Sequence, residues 1–335
     1  MKKHVNIPVF IPHLGCPNQC VFCNQRFISG VNNFDISAVK TTIETALSTV
    51  TSDIECEIAF FGGSFTGIDR ELMIELLEIS RTYLISGRVS SVRCSTRPDY
   101  ISEEILEILK KYGVTTIELG LQSSSDQVLQ ECKRGHGFHH EDKACELIKT
   151  YGFSLIGQMM IGLPGSTPED EIATAEFICS KNADGARIYP TVVFKDTELS
   201  SMVDAGIYRP LTEEEAIKRS SDVYKIFSRS RIPVIRIGLC ESESLSSDRT
   251  YKAGPNSPSL GEKIISRVYL DALTGYLSKK NVKNDKIIIL VAKGCTSKVI
   301  GHKRTNITYI KERFGFKEIK VREDNSLSGL DFQVL

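Results

Sequence analysis

The sequence predicts an α/β protein in which a parallel β-sheet is followed by a small α+β unit. Apolar strand-like segments alternate with amphipathic helical segments from residue 5 to about residue 240, an order typical of βα units in a parallel sheet. The 335 residues suffice for roughly two domains at about 150 residues each. With 41% hydrophobic and 25% charged residues, the chain has the composition of a globular protein, which excludes disorder and collagen-like repeats.

The expected strands are short apolar segments, and the expected helices between them repeat their apolar residues at helical spacing. The strands are Asn6–Ile11, Glu57–Phe61, Ser91–Ser95, Thr115–Leu119, Ser154–Met159 and Gly185–Tyr189. The helices are Ser37–Val50, Arg70–Leu84, Glu103–Tyr112, His140–Tyr151 and Pro168–Lys181.

Three of the ten cysteines, Cys16, Cys20 and Cys23, lie within eight residues, directly after the apolar run Val5–Leu14. A chain without a secretory signal favours reduced thiols over a disulfide framework. Three thiolates can hold a 4Fe–4S cluster and leave one iron open to a substrate or cofactor. The alternatives are a loop with incidental thiols, or a zinc site whose fourth ligand lies elsewhere, such as His13. The seven other cysteines are predicted to be buried small hydrophobes.

A glycine-rich turn follows the second predicted strand, at Gly62-Gly63-Ser64-Phe65. A double glycine is ordinary in a tight turn, but this one lies some forty residues after the cysteines. Together, the CxxxCxxC loop and this turn resemble the radical S-adenosylmethionine (SAM) superfamily. The resemblance implies an open, partial (βα)6 barrel with its site at the C-terminal ends of the strands. It also implies a 4Fe–4S cluster on the three cysteines, SAM on the fourth iron, and Gly62, Gly63 and Ser64 at the methionine amino group.

Further loops resemble a narrower group, the radical SAM domain of the catalytic subunit of Elongator, which modifies the tRNA wobble uridine. More distantly they resemble the oxygen-independent coproporphyrinogen oxidases. The Elongator subunit continues into an acetyltransferase domain, which is expected to be lacking here, so its carboxymethyl chemistry is not transferred. In chain order the matching loops are residues 94–100, 118–123, 133–136, 162–165 and 187–191.

Carried over position by position, the two families imply a SAM site built from several loops. Its members are Gln122 and Gln158 at the ribose, Arg134 at the carboxylate, Ser95 beside Gly63 at the methionine part, and Phe22, the aromatic residue before the last cysteine, beside the adenine.

Some of these residues and their neighbours have plainer interpretations. Arg97 precedes Pro98 and can merely close a turn, and Gln158 can be a strand residue bonded to backbone. His136, His139 and His140 are predicted to form a solvated approach to a helix. A metal site is the alternative for these three imidazoles.

The C-terminal end is predicted to be a basic patch on an acidic body. From Lys279 to Arg322 there are 13 basic and 3 acidic residues, net +10, which leaves net −10 elsewhere. A serine-rich acidic segment, Glu241–Asp248, is interpreted as part of a connection. The expected domains are a radical SAM core at 1–240, a connecting segment at 241–278 and a basic domain at 279–335.

The basic domain resembles a KH module, in which a GxxG loop between two helices clamps a nucleic-acid backbone. The second glycine of that loop is replaced by Arg304, and His302, Lys303 and Arg304 are the expected phosphate contacts. A solvated basic face is the alternative. The predicted elements are strand Lys286–Val291, helix Thr296–Ile300, helix Asn306–Phe314 and strand Glu318–Val321.

These observations predict a radical SAM enzyme that modifies RNA, in particular tRNA, and that depends on a reductant such as flavodoxin or ferredoxin. No apolar run reaches the roughly 18–20 residues of a membrane span, so no membrane partner and a cytoplasmic location are expected. A radical SAM enzyme acting on a small molecule or tetrapyrrole is the first alternative. The second is a non-catalytic RNA-binding protein whose Fe–S cluster is a redox sensor.

Overall fold

A parallel sheet of seven strands forms the body of the protein, as a half-barrel. The computed structural model describes residues 4–11, 14–16, 20–24, 34–51, 53–239, 250–280 and 285–335. The seven strands pair in chain order, except that one short strand, which belongs to another sheet, lies in sequence between the sixth and the seventh. The strands are β1 (His4–Ile11), β2 (Glu55–Gly62), β3 (Ser91–Thr96), β4 (Val114–Gln122), β5 (Ser154–Ile161), β6 (Gly185–Pro190), β7 (Val193–Phe194), β8 (Val234–Ile237), β9 (Tyr251–Ala253), β10 (Lys286–Val291), β11 (Glu318–Glu323) and β12 (Phe332–Val334).

Helices connect the strands and cover one face of the sheet. Several begin at side-chain caps: Thr167 and Asp170 form a capping box at one helix, and Thr212 and Glu215 form another. The helices are α1 (Ser37–Ser48), α2 (Arg70–Ile85), α3 (Glu103–Lys111), α4 (Asp126–Glu131), α5 (Phe138–Thr150), α6 (Pro168–Ser180), α7 (Glu198–Asp204), α8 (Glu213–Arg229), α9 (Leu260–Lys279), α10 (Thr296–Ile300) and α11 (Thr305–Phe314).

The two faces of the sheet differ in chemistry because successive side chains of a strand point to opposite faces. On the helix-covered face, Ile58, Ile117 and Ile188 are fully buried in the main hydrophobic core. On the other face, alternate positions carry polar or charged side chains such as Glu118 and Arg187, which border a cavity. The strands therefore hold a core on one side and a polar site on the other.

All six predicted strands occur, and the predicted α/β class and partial barrel are confirmed. The expected count of six is one too low, because Val234–Ile237 adds a seventh strand beside β6. This strand has only four residues, too few to give a clear apolar pattern. The sequence interpretation also omitted α8, which packs against α6 and α9.

A second hydrophobic core supports the C-terminal unit of helices and strands. In its sheet, β10 is central, parallel to β11 and antiparallel to β12, a strand that the sequence analysis did not predict. The predicted connection at 241–278 contains most of α9, whose Tyr269, Leu273 and Leu277 belong to this core. The acidic segment Glu241–Asp248 lies outside the described residues. The domain limits and the KH likeness stay predictions.

Within the described part of the chain, each helix is too short or too polar to cross a lipid bilayer.

Candidate active site

A cavity of about 500 Å³ opens toward the C-terminal ends of the strands, on the polar face of the sheet. All the residues predicted to hold the cluster and SAM border it, although they come from six separate segments of the chain. These residues are Cys16, Cys20, Phe22, Cys23, Gly62, Gly63, Ser64, Ser95, Gln122, Arg134 and Gln158.

The cysteine segment is attached to the body of the protein through Val21. This side chain is 1% exposed and packs in a small cluster with Val128 and Leu199. Its backbone is bound on both sides, since the Val21 N–H donates to the Cys132 carbonyl at 3.3 Å and its own carbonyl accepts from Leu199 N–H at 2.8 Å. These contacts fix Cys20 and Cys23 at the edge of the cavity.

Two guanidinium groups approach the buried thiol of Cys20. Arg134 Nη1 lies 3.3 Å and Arg97 Nη1 lies 3.9 Å from Cys20 Sγ. Both guanidinium groups can offset the negative charge of a metal-bound thiolate at this position. Cys16 Sγ lies 3.5 Å from Ser64 Oγ, which joins the cysteine segment to the glycine-rich turn.

The three thiols fit a cluster better than a single ion. Among the described residues, no three His, Cys, Asp or Glu side chains are grouped around one point as ligands of one metal ion. The cysteines of a 4Fe–4S cluster each bind a different iron, so they need only surround it. His13, the suggested fourth zinc ligand, lies outside the described residues.

Arg97 does more than close the turn before Pro98. Its guanidinium is 5% exposed and makes two hydrogen bonds to Asp99, at 2.9 and 2.8 Å, and one to the Arg134 carbonyl. Burial on its own would raise the pKa of Asp99, but hydrogen bonds from His136 and Arg97 outweigh it and hold that pKa well below its usual range. Asp99 is therefore a fixed anion that orients Arg97 toward Cys20.

The glycine-rich turn passes very close to β1 and to the cysteine segment. Gly62 has φ +108°, and a Cβ there would lie 2.8 Å from the Ile11 carbonyl oxygen. The N–H of Gly63 donates to that same oxygen at 2.8 Å. A Cβ on Gly15 would lie 1.9 Å from the Ser64 carbonyl oxygen. The absence of a side chain on Gly15 and Gly62 therefore allows the turn to pack against the cysteine segment and β1.

Among the described residues, some polar atoms of the predicted SAM side chains have no hydrogen-bond partner. Arg134 donates from Nη2 to the Gly120 carbonyl at 2.6 Å, while its buried Nε is unbonded. The Oε1 of Gln122 is buried and also unbonded, on a residue with φ +74°. Ser95 Oγ makes a long bond of 3.4 Å to Glu118. Unsatisfied buried polar atoms are costly, so these atoms are suited to meet a ligand.

Residues 10–178, half of the chain, match the family model of the Radical SAM superfamily. The chain belongs to the radical SAM superfamily. Residues 183–270 match the Radical_SAM C-terminal domain. Enzymes of this superfamily use a 4Fe–4S cluster and SAM, and these are the cofactors of this enzyme, as predicted.

Relatives of this radical SAM enzyme include proteins named for tRNA modification. The chain is 34% identical over 158 residues to the tRNA uridine(34) acetyltransferase of Methanocaldococcus jannaschii, covering 46% of this chain and 29% of that protein. It is 31% identical over 124 residues to Elongator complex protein 3 of Schizosaccharomyces pombe, covering 36% of this chain and 23% of that protein. The chain thus spans about a quarter of the length of these relatives, and the predicted Elongator likeness is confirmed.

A solved structure shares the fold of this radical SAM chain. It is the archaeal Methanocaldococcus infernus Elp3 with an N-terminal deletion, which matches with a TM-score of 0.61 at 24% identity. The match covers 84% of this chain and 64% of that one.

Beneath the cofactor residues of this radical SAM enzyme lies a charge network that the sequence analysis missed. Arg93 binds Glu57 at 2.5 Å and Glu118 at 2.9 Å, and Arg187 binds Glu118 at 2.7 Å. Both carboxylates are about 2% exposed. The sequence signal that could have predicted this network is a charged residue within each of several apolar strands.

The prediction of a solvated histidine cluster is wrong for His136. Its side chain is fully buried, with Nδ1 3.2 Å from Asp99 and Nε2 3.5 Å from Glu141. Burial lowers the pKa of His136 and raises that of Glu141 well above its usual range. His139 is exposed, as expected. His136 thus lies between Glu141 and the Asp99–Arg97 pair, and Arg97 in turn donates to the Arg134 carbonyl.

Proposed function

We propose that this radical SAM enzyme modifies RNA, in particular tRNA. The observation that carries the proposal is that every residue inferred for cluster and SAM borders one cavity. The relatives named as tRNA uridine(34) acetyltransferases support a tRNA substrate. Because the chain spans only part of those proteins, their acetyl transfer is not carried over.

Cys16, Cys20 and Cys23 would hold the cluster, with Arg97 and Arg134 countering its negative charge at Cys20. When bound and reduced by a donor such as flavodoxin or ferredoxin, the cluster would supply the one electron for reductive cleavage of SAM and so the radical chemistry that removes a hydrogen atom from the substrate. The protein's part is to place the reactants and to exclude water.

The residues around the cluster would hold SAM by its polar groups. The turn Gly62–Ser64 offers backbone atoms to the methionine amino group, and Ser95 lies on the neighbouring strand. Arg134 would meet the carboxylate with its buried Nε, which has no hydrogen-bond partner among the described residues. Gln122 and Gln158 would bind the ribose, and Phe22 would cover the adenine.

The C-terminal unit would bind RNA through phosphates. His302, Lys303 and Arg304 form an exposed turn between α10 and α11. Lys303 and Arg304 both have positive φ, +48° and +65°, so the chain takes left-handed backbone at the position where a GxxG loop has glycine. Their side chains are free of ion pairs to described residues, which suits them to phosphate contacts.

The catalytic part of the proposal is tested by anaerobic reconstitution. Wild-type protein should bind close to four iron atoms per chain and form 5′-deoxyadenosine with a strong reductant, faster when tRNA is present. Cys20→Ala should lose iron, because the cluster cannot replace that thiolate. Gly63→Val should keep iron and weaken SAM binding, since a branched side chain would block the backbone. A rate of SAM cleavage that is the same with and without tRNA would favour the alternative of a small-molecule substrate.

The RNA-binding part is tested by tRNA affinity measured from low to moderate salt. Lys303→Ala with Arg304→Ala should weaken binding and lower the salt slope by about two at most. The matched control is Lys110→Ala with Lys111→Ala, which removes two exposed charges at the end of α3. Equal affinities and salt slopes for wild type and the Lys303, Arg304 variant would favour the alternative, in which the turn is only a solvated basic face. RNA binding without SAM cleavage would favour the redox sensor.

A further inference from the structure

Two arginines lie side by side at one edge of the sheet. The register of β6 and β8 places Arg187 directly beside Arg236, and both side chains border the cavity. Like charges at neighbouring positions of adjacent strands destabilise each other. The arrangement therefore favours a bound anion between or beside them.

The carboxylates in the sheet neutralise only part of this charge. Glu118 is shared by Arg187 and Arg93, and Glu57 binds Arg93. Three arginines thus face two carboxylates. Arg236 makes one long hydrogen bond, from Nε to the Gly238 carbonyl at 3.4 Å, and no carboxylate in the described part of the chain lies within 4 Å of it.

The surroundings of Arg236 suit an aromatic ring that carries an anion. The nearby wall of the cavity is largely apolar, while Arg187 Nε is buried without a hydrogen-bond partner among the described residues. The apolar lining includes Phe61, which has the Arg187 guanidinium 5.3 Å from its ring centre. The other lining residues on this side are Met160, Tyr189, Val192, Phe194 and Leu239.

This subsite is separate from the cofactor positions. The cysteines follow β1, at one edge of the sheet, and Arg134 lies against Cys20. Arg236 is on β8, at the other edge. A ligand at Arg236 and one at the cysteines would thus share the cavity without using the same side chains.

We propose that Arg236, with Arg187 beside it, binds a phosphate of the RNA nucleotide that enters the cavity, while the base lies against the apolar wall. A guanidinium matches phosphate with paired hydrogen bonds, and every nucleotide of an RNA brings a phosphate with it. The inference rests on the proposed RNA substrate and names the residue that would select it.

The test compares Arg236→Ala, Arg236→Lys and Arg236→Gln in reconstituted enzyme, with 5′-deoxyadenosine formation measured against tRNA concentration. Arg236→Ala and Arg236→Gln should raise KM for tRNA about tenfold, the loss expected for one charge-assisted hydrogen bond. Arg236→Lys should recover part of this loss, since it keeps the charge without the fork. The control is Arg229→Ala at the exposed end of α8, which should behave as wild type.

A binding measurement without turnover separates the ligand classes. Binding to wild-type protein is followed by NMR for three classes of ligand. These are the four nucleoside 3′-monophosphates, the four nucleosides, and orotate, a pyrimidine that carries a carboxylate. The monophosphates should bind at least tenfold more tightly than the nucleosides and than orotate, and Arg236→Gln should remove the preference. Equal binding of nucleosides and monophosphates, or tighter binding of orotate, would overturn the phosphate assignment.

The failure of this inference differs from that of the proposed function. SAM cleavage by wild type that does not respond to tRNA contradicts the RNA substrate. A wild-type KM in all three folded Arg236 variants, with tRNA-dependent cleavage intact, overturns the role of Arg236 alone.

Discussion

The close approach of Gly15 to the glycine-rich turn gives the most direct test of how the site is built. In Gly15→Ala, the new Cβ would lie 1.9 Å from the Ser64 carbonyl oxygen and 2.9 Å from the Gly67 carbonyl carbon and the Ile68 nitrogen. All three are backbone atoms, so no flexible side chain can move away. Either the turn or the cysteine segment must shift.

The size of the effect follows from that overlap. Overpacking of a well-packed region costs about 1–3 kcal/mol. For a domain of about 150–250 residues, each kcal/mol lowers Tm by roughly 2–4 °C, so a loss of about 2 kcal/mol corresponds to roughly 4–8 °C. The shift also separates Cys16 from Ser64, which now lie 3.5 Å apart at Sγ and Oγ. We therefore expect Gly15→Ala to lower both stability and SAM affinity.

The assay combines thermal unfolding, iron content after anaerobic reconstitution, and equilibrium SAM binding. Gly275→Ala is the matched control, because a Cβ on this residue of α9 meets no atom within 4 Å. Alanine is favoured over glycine in a helix by about 1 kcal/mol, so the control should keep or raise Tm. Wild-type Tm, iron content and SAM affinity in Gly15→Ala would refute the claimed packing of the two segments.

Three further substitutions test buried polar groups by chemical denaturation. Burial raises the pKa of Glu141, so the folded protein is most stable below the unfolded-state pKa of this group and loses stability as pH rises toward its folded-state pKa. Glu141→Gln cannot ionise and should therefore gain stability over wild type from pH 5 to 8, by about 1.4 kcal/mol for each pH unit between the two pKa values. Parallel stability profiles of the two proteins over this pH range would contradict the burial of an ionisable Glu141. Asn306 is 5% exposed and donates to the Ser266 carbonyl at 2.9 Å, so Asn306→Ala should cost about 1–3 kcal/mol, which an unchanged midpoint would disprove. Arg93→Met leaves Glu57 without its guanidinium partner and should lower the free energy of unfolding by about 3–5 kcal/mol. Adding Glu57→Gln to this variant should restore part of that free energy. A double variant as unstable as Arg93→Met would argue against the ion pair.

The strands and the cysteine site were predictable because their signals are local in sequence. Each strand of the seven-stranded sheet except β8 is an apolar segment of at least five residues, and the cysteines and glycines lie within short loops. Helix α8 was predictable as well, since Thr212 and Glu215 are spaced as a capping box before an amphipathic run. The predicted and observed ends of the helices differ by a few residues, because where the last turn of a helix ends depends on its cap.

The contacts inside the cavity were not predictable from local patterns. Glu118 and Arg187 are 69 residues apart, and only the order of strands in the sheet brings them within 2.7 Å. His136 and Arg97 are separated by 39 residues and meet because both loops follow neighbouring strands, β3 and β4. Exposure of His136 was expected from its polar neighbours, whereas Asp99 and Arg97 supply the partners that allow its burial.

The charged positions of the strands nevertheless carry information about function. A parallel sheet covered on both faces has strands that are apolar almost throughout. In this chain, Glu118, Gln158 and Arg187 each interrupt an apolar strand on the same face of the sheet, so that face cannot be packed against another apolar layer without burying polar groups. Such a face must either pair its charges or line a cavity that holds a ligand. Here Glu118 pairs with two arginines, while Arg236 has no carboxylate partner among the described residues, and this difference within one face marks where an anionic substrate group is expected.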